Sequence, residues 1–373
     1  MAMRIEAITT MHTLERLRQA WDAVYDSDGE AQFFLSWPWM SNRLRSLSTP
    51  WIVLAARAEA DPAPCVAFLP LSIRTLRNGD GPQRELRTAG SPVADYTGFI
   101  CRPEHEGPAL AAFAEALRRL RQRLLWNRLN LAGLRTSERR LQPFLSAFAR
   151  AGFELTGRRG DNGDGVDNAV CPYVALPGDW DGYLAAAVGA STRQRIRRFL
   201  RRIEGSRELS ITEARPETIE ADIEALLRMW QTQWAERKQG GAERIRVQTS
   251  AMLMRCFEDG SLFLPTLRWN GTPVGALAIL VDPVKRSYLF YIGGRDPSFT
   301  SLPPGFCLHA FAIRHAIERG FATYDFLRGD EPYKFLFGAQ RHPIRTIIVR
   351  ARTERMAGIA HAPSTAALGL DPK

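Results

Sequence analysis

The sequence predicts an α/β (α+β) fold built as two similar halves. Three observations carry this reading. The chain has 373 residues, which at roughly 150 residues per domain suggests two domains. Hydrophobic residues make up 45% and charged residues 24%, an ordinary globular balance that argues against a disordered chain. An order of hairpin, strand, loop, helix and strand runs through the second half, and a vaguer version lies between Trp51 and Ala132.

In chain order, apolar spacing predicts a helix over Leu14–Tyr25, then an aromatic cluster of Phe33, Phe34, Trp37, Trp39 and Trp51. Strand-like runs Trp51–Ala56 and Cys65–Ile73 flank the turn-prone Ala60–Pro64. A loop-rich stretch holds Gly90–Tyr96; helix Pro108–Leu125, strand Arg128–Ala132 and helix Leu141–Ala151 follow. The stretch Gly157–Asp167, with four glycines, has the composition of a connector.

The second half opens on strand Cys171–Leu176 and helix Trp180–Val188. Ser191 to Gln194 fits an S-x-x-Q capping box, starting a helix that carries six arginines before Gly205. A longer helix is expected over Glu217–Lys238. Strands Ser261–Trp269 and Thr272–Val281 flank Asn270-Gly271, a strong two-residue hairpin signal. Strand Ser287–Gly293, loop Gly294–Pro304, helix Gly305–Arg319 and strand Ala322–Phe326 come next, then the polar run Leu327–Lys334 and a last strand Ile344–Arg350. Domain boundaries are placed at 1–168 and 169–356, with a loose Ala/Pro-rich tail over 357–373.

Charge and composition narrow the function classes. Lys+Arg number 50 against 40 Asp+Glu, a net +10, and Lys occurs only at Lys238, Lys285, Lys334 and Lys373. An Arg-dominated excess suits planar contact with phosphate or carboxylate, hence an anionic partner. No apolar run approaches the roughly 18 residues that cross a bilayer, and no apolar leader follows Met1. The five cysteines lack C-x-x-C spacing and the six histidines lack H-E-x-x-H, so reduced thiols and no metal site are expected.

The segment Tyr288–Asp296, with Pro303-Pro304-Gly305, Gly320 and the D-F-x-x-G-D-x-x-Y-K run Asp325–Lys334, resembles the CelD-like acyltransferases. These are a branch of the GNAT superfamily, related in architecture to the Fem aminoacyl transferases. Trp37, Trp39, Pro70-Leu71, Asp95-Tyr96 and the Arg-rich helix from Ser191 agree with that layout, so the resemblance covers about residues 10–350. It implies two tandem GNAT-like domains, each a mixed, mostly antiparallel sheet flanked by helices. It further implies transfer of an acyl group from a thioester, acyl-CoA or acyl-carrier protein, to an amine. The Q/R-x-x-G-x-G/A pyrophosphate signature of simple GNAT enzymes is absent. The chain is similar to the ceramide-forming bacterial members of the branch, which implies a long-chain, sphingoid-type lipid amine as one acceptor; an amino sugar or amino acid are the others.

Such a reaction needs a bound donor, a deprotonated amine, a stabilised oxyanion and a proton for the leaving thiolate; an alkyl ammonium has a pKa near ~10, so its proton must be helped away. Asp325, Asp330, Glu331, Tyr333 and Lys334 crowd the exit of a strand, where ligands bind in open α/β sheets. They are equally readable as a polar turn, with Asp330 capping a short helix from Pro332. Lys334, rare here, suggests a point charge or a titratable amine. Tyr333 is a proton donor by resemblance, or a ring packed under the turn. Asp95 is the amine's base or an Asx-turn residue. His309 faces the site or the core, and His315 shares a face with Leu308, Phe311 and Ala312, as a core histidine does.

For the donor, Ser301 and Gly305 lie at a helix N-terminus whose free N–H groups favour pyrophosphate, with Arg328 as a further contact; a backbone N–H near Gly293 or Gly294 is the expected oxyanion donor. The basic helix, with Arg193, Arg195, Arg197, Arg198, Arg201 and Arg202, reads as a solvated face, or as a surface for CoA phosphates, tRNA or anionic lipid, the last through Arg193, Arg197, Arg198 and Arg201. Trp37 and Trp39 join it as lipid anchors if exposed and form core if not. The location expected is the cytoplasm, including the inner membrane face. The rival functions are a Fem-like transferase using aminoacyl-tRNA and a non-catalytic accessory of polysaccharide assembly.

Overall fold

The computed structural model describes residues 3–58, 64–78, 81–158, 165–234 and 242–351. It divides into two compact units. One runs to Asn162 and takes back the chain from Pro343; the other is Gly163–His342. Each is built around one eight-stranded sheet, mixed and mostly antiparallel, with helices against it, so the expected architecture holds.

The first unit carries β1 (Met3–Ile8), β2 (Trp51–Ala58), β3 (Cys65–Asn78), β4 (Gly81–Thr88), β5 (Ile100–Cys101), β6 (Trp126–Leu134) and β7 (Glu154–Arg158). Its helices are α1 (Met11–Glu15), α2 (Arg18–Ser27), α3 (Trp37–Ser46), α4 (Glu106–Leu124) and α5 (Glu138–Arg150). The second unit carries β8 (Val170–Ala175), β9 (Leu209–Glu213), β10 (Leu262–Phe263), β11 (Pro265–Trp269), β12 (Thr272–Asp282), β13 (Ser287–Arg295), β14 (Thr323–Asp325) and β15 (Gln340–Pro343). Its helices are α6 (Trp180–Ala187), α7 (Ala190–Glu204), α8 (Ile219–Trp234), α9 (Ala242–Glu258), α10 (Pro304–Glu318) and α11 (Pro332–Phe335). The last strand, β16 (Arg345–Arg350), inserts between β6 and β7 of the first sheet. The strand expected to close the second half, and the 169–356 boundary drawn around it, therefore move: Ile347 and Val349 bury their side chains in the first unit's core.

Strand order is β1-β2-β3-β4-β6-β16-β7 in one sheet and β15-β8-β14-β13-β12-β11-β9 in the other. In each, the parallel pair among the described strands is bridged by one long helix: β4 and β6 by α4, β13 and β14 by α10. This is the repeat that the strand–helix–strand order foreshadowed.

Local chemistry explains the elements. Asn270 and Gly271 take φ of 47° and 78°, the left-handed pair that a tight hairpin turn requires, and Trp269 pairs with Thr272 across it. The helix expected over Leu14–Tyr25 breaks at Arg16 and Leu17 into α1 and α2, with Thr10 capping the first. The expected capping box at Ser191 does not form: α7 starts one residue earlier behind Gly189, with no side-chain cap. Helix α9 and strands β1, β4 and β7 fall in stretches read as loop or left unassigned. The end expected at Lys238, the heart of the Gly157–Asp167 connector and the 357–373 tail lie outside the described residues.

Trp37 and Trp39 are 5% exposed. Trp37 meets Trp21 edge-on at 5.9 Å and Trp39 meets Phe34 at 5.2 Å, so both belong to the core and neither anchors lipid. All five cysteines are free and buried. Among the described residues no helix is long and apolar enough to cross a membrane, and no cluster could hold a metal ion.

Candidate active site

The second sheet opens beside α10. Strand β13 pairs with β14 only over Ser287–Leu289, and β14 ends at Asp325 while β13 continues to Arg295. Along the other edge of β13, the register with β12 shifts between Ala278 and Ile279: Ile292 faces Ala278, Phe290 faces Ile279, and Tyr291 is the extra residue of a bulge. A bulge bends its strand and strengthens the twist, which carries the rest of β13 away from β14. The exposure pattern agrees, because Phe290–Gly293 are all half-buried in what is otherwise a central strand. The result is a wedge in the sheet, floored by α10.

Helix α10 lines that wedge. Its N-terminus begins Pro303-Pro304-Gly305 with no side-chain cap, and a Cβ at Gly305 would meet nothing within 4 Å. In the first turn of this 15-residue helix Pro304 has no N–H and Cys307 donates to the Pro303 carbonyl, which leaves the N–H groups of Gly305 and Phe306 as the donors of the helix terminus. Helix α7 adds positive charge here. Arg195 stacks on the Phe306 ring at 4.1 Å, and Arg202 donates to Ser301 at both the carbonyl (3.1 Å) and Oγ (2.6 Å). Arg202 thus reaches the expected Ser301, and Arg195 packs on the residue after the expected Gly305; both belong to the basic helix read as a surface for CoA phosphates, without having been singled out there. Their signal was available: Arg195, Arg198 and Arg202 are spaced i, i+3, i+7 along one helical face.

The other arginines of α7 have structural tasks. Arg193 donates to the Leu184 carbonyl, Arg197 pairs with Asp181 at 2.8 Å, and Arg201 donates to the Arg197 carbonyl. Arg198 lies over Phe199 at 4.9 Å. Arg193 and Arg197 tie α7 to α6, so the surface proposed on Arg193, Arg197, Arg198 and Arg201 splits into bracing and stacked side chains.

Beyond β14 the chain turns through Leu327 (φ 55°) and Gly329 (φ 98°). Two left-handed residues so close need an external hold, and Lys334 supplies it. Its Nζ, 2% exposed as a residue, donates to the Arg328 and Gly329 carbonyls, each at 2.8 Å, and lies 2.9 Å from Glu331 Oε2. Two carbonyl bonds and an ion pair make Lys334 a clamp on this turn. Arg328 enters through its carbonyl. Asp330 is also committed: Oδ2 pairs with Arg341 at 2.7 Å and Oδ1 accepts the Asp167 N–H. The Arg341 bond holds its carboxyl below the usual carboxylate range, the wrong direction for a base. Asp325 is 1% exposed and accepts the Leu327 N–H, closing the same turn.

His309 is 2% exposed, with Nδ1 2.9 Å from the Tyr324 hydroxyl and with Phe290, Phe326, Tyr333 and Phe337 around its ring. Burial, with Lys334 adding repulsion, pushes its pKa down to about 3, so it is neutral at pH 7. Tyr333 keeps 36% of its surface open, yet desolvation at the phenol, with Glu331 beside it, holds its proton well above the ordinary value. Of the residues expected to act, Tyr333 and His309 meet at the wedge, ring centroids 5.6 Å apart. Tyr324, hidden in the strand's inward alternation, is the partner that spacing could not single out.

Gly293 and Gly294 are explained by packing. A Cβ on Gly294 would lie 2.5 Å from the Leu226 carbonyl of α8, and one on Gly293 2.8 Å from Leu277. Asp95 lies in the first unit, half-buried between β4 and β5 and next to buried Tyr96.

Comparisons with known proteins agree with this geometry. Residues 190–335 match the family model described as acetyltransferase (GNAT) domain, a stretch that takes in β13, β14 and α10. No curated protein matches the chain by sequence. Among solved structures it is similar to FemX (11% identity, TM-score 0.63, covering 92% of this chain and 96% of that one). It is similar to a conserved protein of unknown function from Bacteroides thetaiotaomicron VPI-5482 (14%, 0.55, 94% and 100%). It is also similar to L-PGS from Bacillus licheniformis (10%, 0.50, 92% and 93%). At such identities these likenesses concern the fold.

Proposed function

We propose that the chain is an N-acyltransferase whose second unit moves an acyl group from a thioester, acyl-CoA in the first instance, to a primary amine. The wedge between β13 and β14, opening beside the uncapped N-terminus of α10, is the observation that carries this reading. A thin pantetheine-like arm suits a slot between strands, and the donor's phosphates suit the α10 donors flanked by Arg195 and Arg202. The amine lone pair attacks the thioester carbon; the C–N bond forms as the carbonyl becomes an oxyanion, and collapse breaks C–S. Tyr333 gives its proton to the departing sulfur and, as the phenolate, takes up the proton that the attacking nitrogen sheds. Its raised pKa is no obstacle, because a thiolate freed in a dry site is also more basic: burial pushes the Cys307 thiol of α10 up to about 12. Cys307 itself, 1% exposed, is too buried and too protonated to serve as a covalent nucleophile.

A long-chain, sphingoid-type amine remains the most specific acceptor reading, resting on the family resemblance; with Trp37 and Trp39 in the core, the aromatic support for a lipid surface is withdrawn. The fold likeness to FemX and L-PGS favours a second donor reading, in which an aminoacyl-tRNA ester replaces the thioester. The test is incubation with an acyl-CoA ladder and a panel of sphingoid bases, amino sugars and amino acids, following free thiol and identifying amides by mass spectrometry. Tyr333→Phe is expected to lower kcat by about 10²-fold with KM little changed. Absence of thiol release with every pair, alongside turnover of an aminoacyl-tRNA, transfers the assignment to the second reading.

A further inference from the structure

Strand β9 ends the second sheet on one side, and among the described strands nothing pairs with its outer edge. Its register with β11 is unbroken from Leu209 to Glu213. Asn270 N–H donates to the Glu208 carbonyl and Ala214 N–H to the Leu264 carbonyl, so the even-numbered residues turn their backbone groups toward β11. Alternation then turns those of Leu209, Ile211 and Glu213 outward. Ser206 Oγ accepts the Leu209 N–H, which leaves the Leu209 carbonyl and both groups of Ile211 and Glu213 as an open ladder.

Beside this ladder lies a cavity of about 330 Å³. Leu200 and Ile203 of α7, Leu209 and Ile211 of β9 and Phe311 of α10 line it. Leu209 and Ile211 therefore point to the helix-covered face, and a strand added outside β9 would set its own alternate side chains over the same opening. Such an occupant must bring N–H and C=O groups at strand spacing, which a lipid tail lacks, and apolar side chains at alternate positions.

Strand β9 meets both demands itself. In a two-fold antiparallel pair, outward residues face outward residues. Centred on Ser210, the pairing sets Leu209 opposite the partner's Ile211 and Arg207 opposite the partner's Glu213, each twice by symmetry. Centred on Ile211, it would set Leu209 against Glu213 and Arg207 against Arg215. Centred on Thr212, it would set Ile211 against Glu213 and Leu209 against Arg215. Of these registers the first alone matches apolar with apolar and charge with opposite charge. The far edge of the sheet is blunted: β15 carries Gln340, Arg341 and His342 and ends at Pro343, which has no N–H. One open edge closes the assembly at two copies.

We propose that the chain forms a two-fold dimer in which β9 pairs antiparallel with β9 of a second copy, centred on Ser210. The two second-unit sheets become one, with both helix layers on the same side. Leu209 and Ile211 of each copy enter the cavity of the other.

Sedimentation velocity on the full chain is expected to show a concentration-dependent dimer. Ile211→Lys, a charge on the covered side of the edge, is expected to raise its dissociation constant by at least about tenfold. Arg207→Glu is expected to raise it about fivefold, and Arg207→Glu combined with Glu213→Arg to bring it back toward wild type. Ser210→Cys puts two thiols across the axis on residues whose Cα atoms lie about 4.5 Å apart, so mild oxidation is expected to link the copies on a non-reducing gel. The five native cysteines are buried, and Val284→Cys, in the exposed turn between β12 and β13, is the control expected to stay unlinked. Should Ile211→Lys fail to fold, the variants at exposed Arg207 and Ser210 decide. A chain that stays monomeric overturns the proposal and leaves the edge to a strand of another protein. A dimer indifferent to both Ile211→Lys and Arg207→Glu also overturns it. One that the charge exchange fails to restore, with Ser210→Cys unlinked, overturns the Ser210 register.

Discussion

Lys334 and Asp330 sit four residues apart and have different weights. Lys334→Met removes two buried hydrogen bonds and the ion pair with the partly exposed Glu331, a loss on the order of 2–4 kcal/mol. Because the same turn aims Tyr333, activity is expected to fall with it, and urea unfolding beside the thiol assay checks both. Asp330→Asn is expected to keep kcat within about threefold, since its carboxylate is occupied by Arg341 and the Asp167 N–H; a loss of 10²-fold would restore it as a base. His309 sets a pH dependence. Its folded pKa of about 3 lies below the ordinary 6.5, so between those values the unfolded chain binds a proton that the folded one refuses. Stability is then full above about pH 6.5 and falls as pH drops toward 3, by on the order of 3 kcal/mol at pH 4. His315, lowered to about 4 by burial and Arg319, adds in the same direction. His309→Gln, which can keep the Tyr324 bond, is expected to flatten the fall in thermal midpoint between pH 6.5 and 4; an unchanged slope would refute this.

At the scale of elements, β13 carries the site. Its bulge at Tyr291 and its short pairing with β14 open the wedge, and Gly294 lets α8 close on its far end. Deleting Tyr291 removes the extra residue and lets β13 run straight. The expected outcome is loss of transfer by at least about 10²-fold with a cooperative melt retained, measured by thiol release and circular dichroism. Gly294→Ala is expected to cost about 1–3 kcal/mol, because its Cβ would press on backbone that cannot swing aside. The hairpin at Asn270-Gly271 and the start of α10 at Pro-Gly were legible because single residue types demand those conformations. The bulge was not. Nothing in Tyr288–Gly293 departs from strand composition, and only pairing with β12 makes Tyr291 the surplus residue.

For the whole molecule, the return of β16 matters most. The first sheet is incomplete until the chain has passed through the entire second unit, since β16 fills the gap between β6 and β7. A fragment ending at residue 168 is expected to lack a cooperative thermal transition, while the same fragment carrying 343–351 on a short linker regains one. Equal melting of the two would show that β16 is dispensable.

The sequence by itself determined the doubled α/β plan and the placement of most helices and strands, and it pointed to the Asp325–Lys334 run as a candidate site, because periodicity, turn chemistry and that run are local. Tertiary structure decided the roles. Lys334 became a clamp, Asp330 an ion-pair partner, Trp37 and Trp39 core, and two arginines of α7 neighbours of the α10 terminus. Those outcomes depend on which atoms meet across long separations, and burial and pairing, which fix protonation and freedom, exist only once they have met.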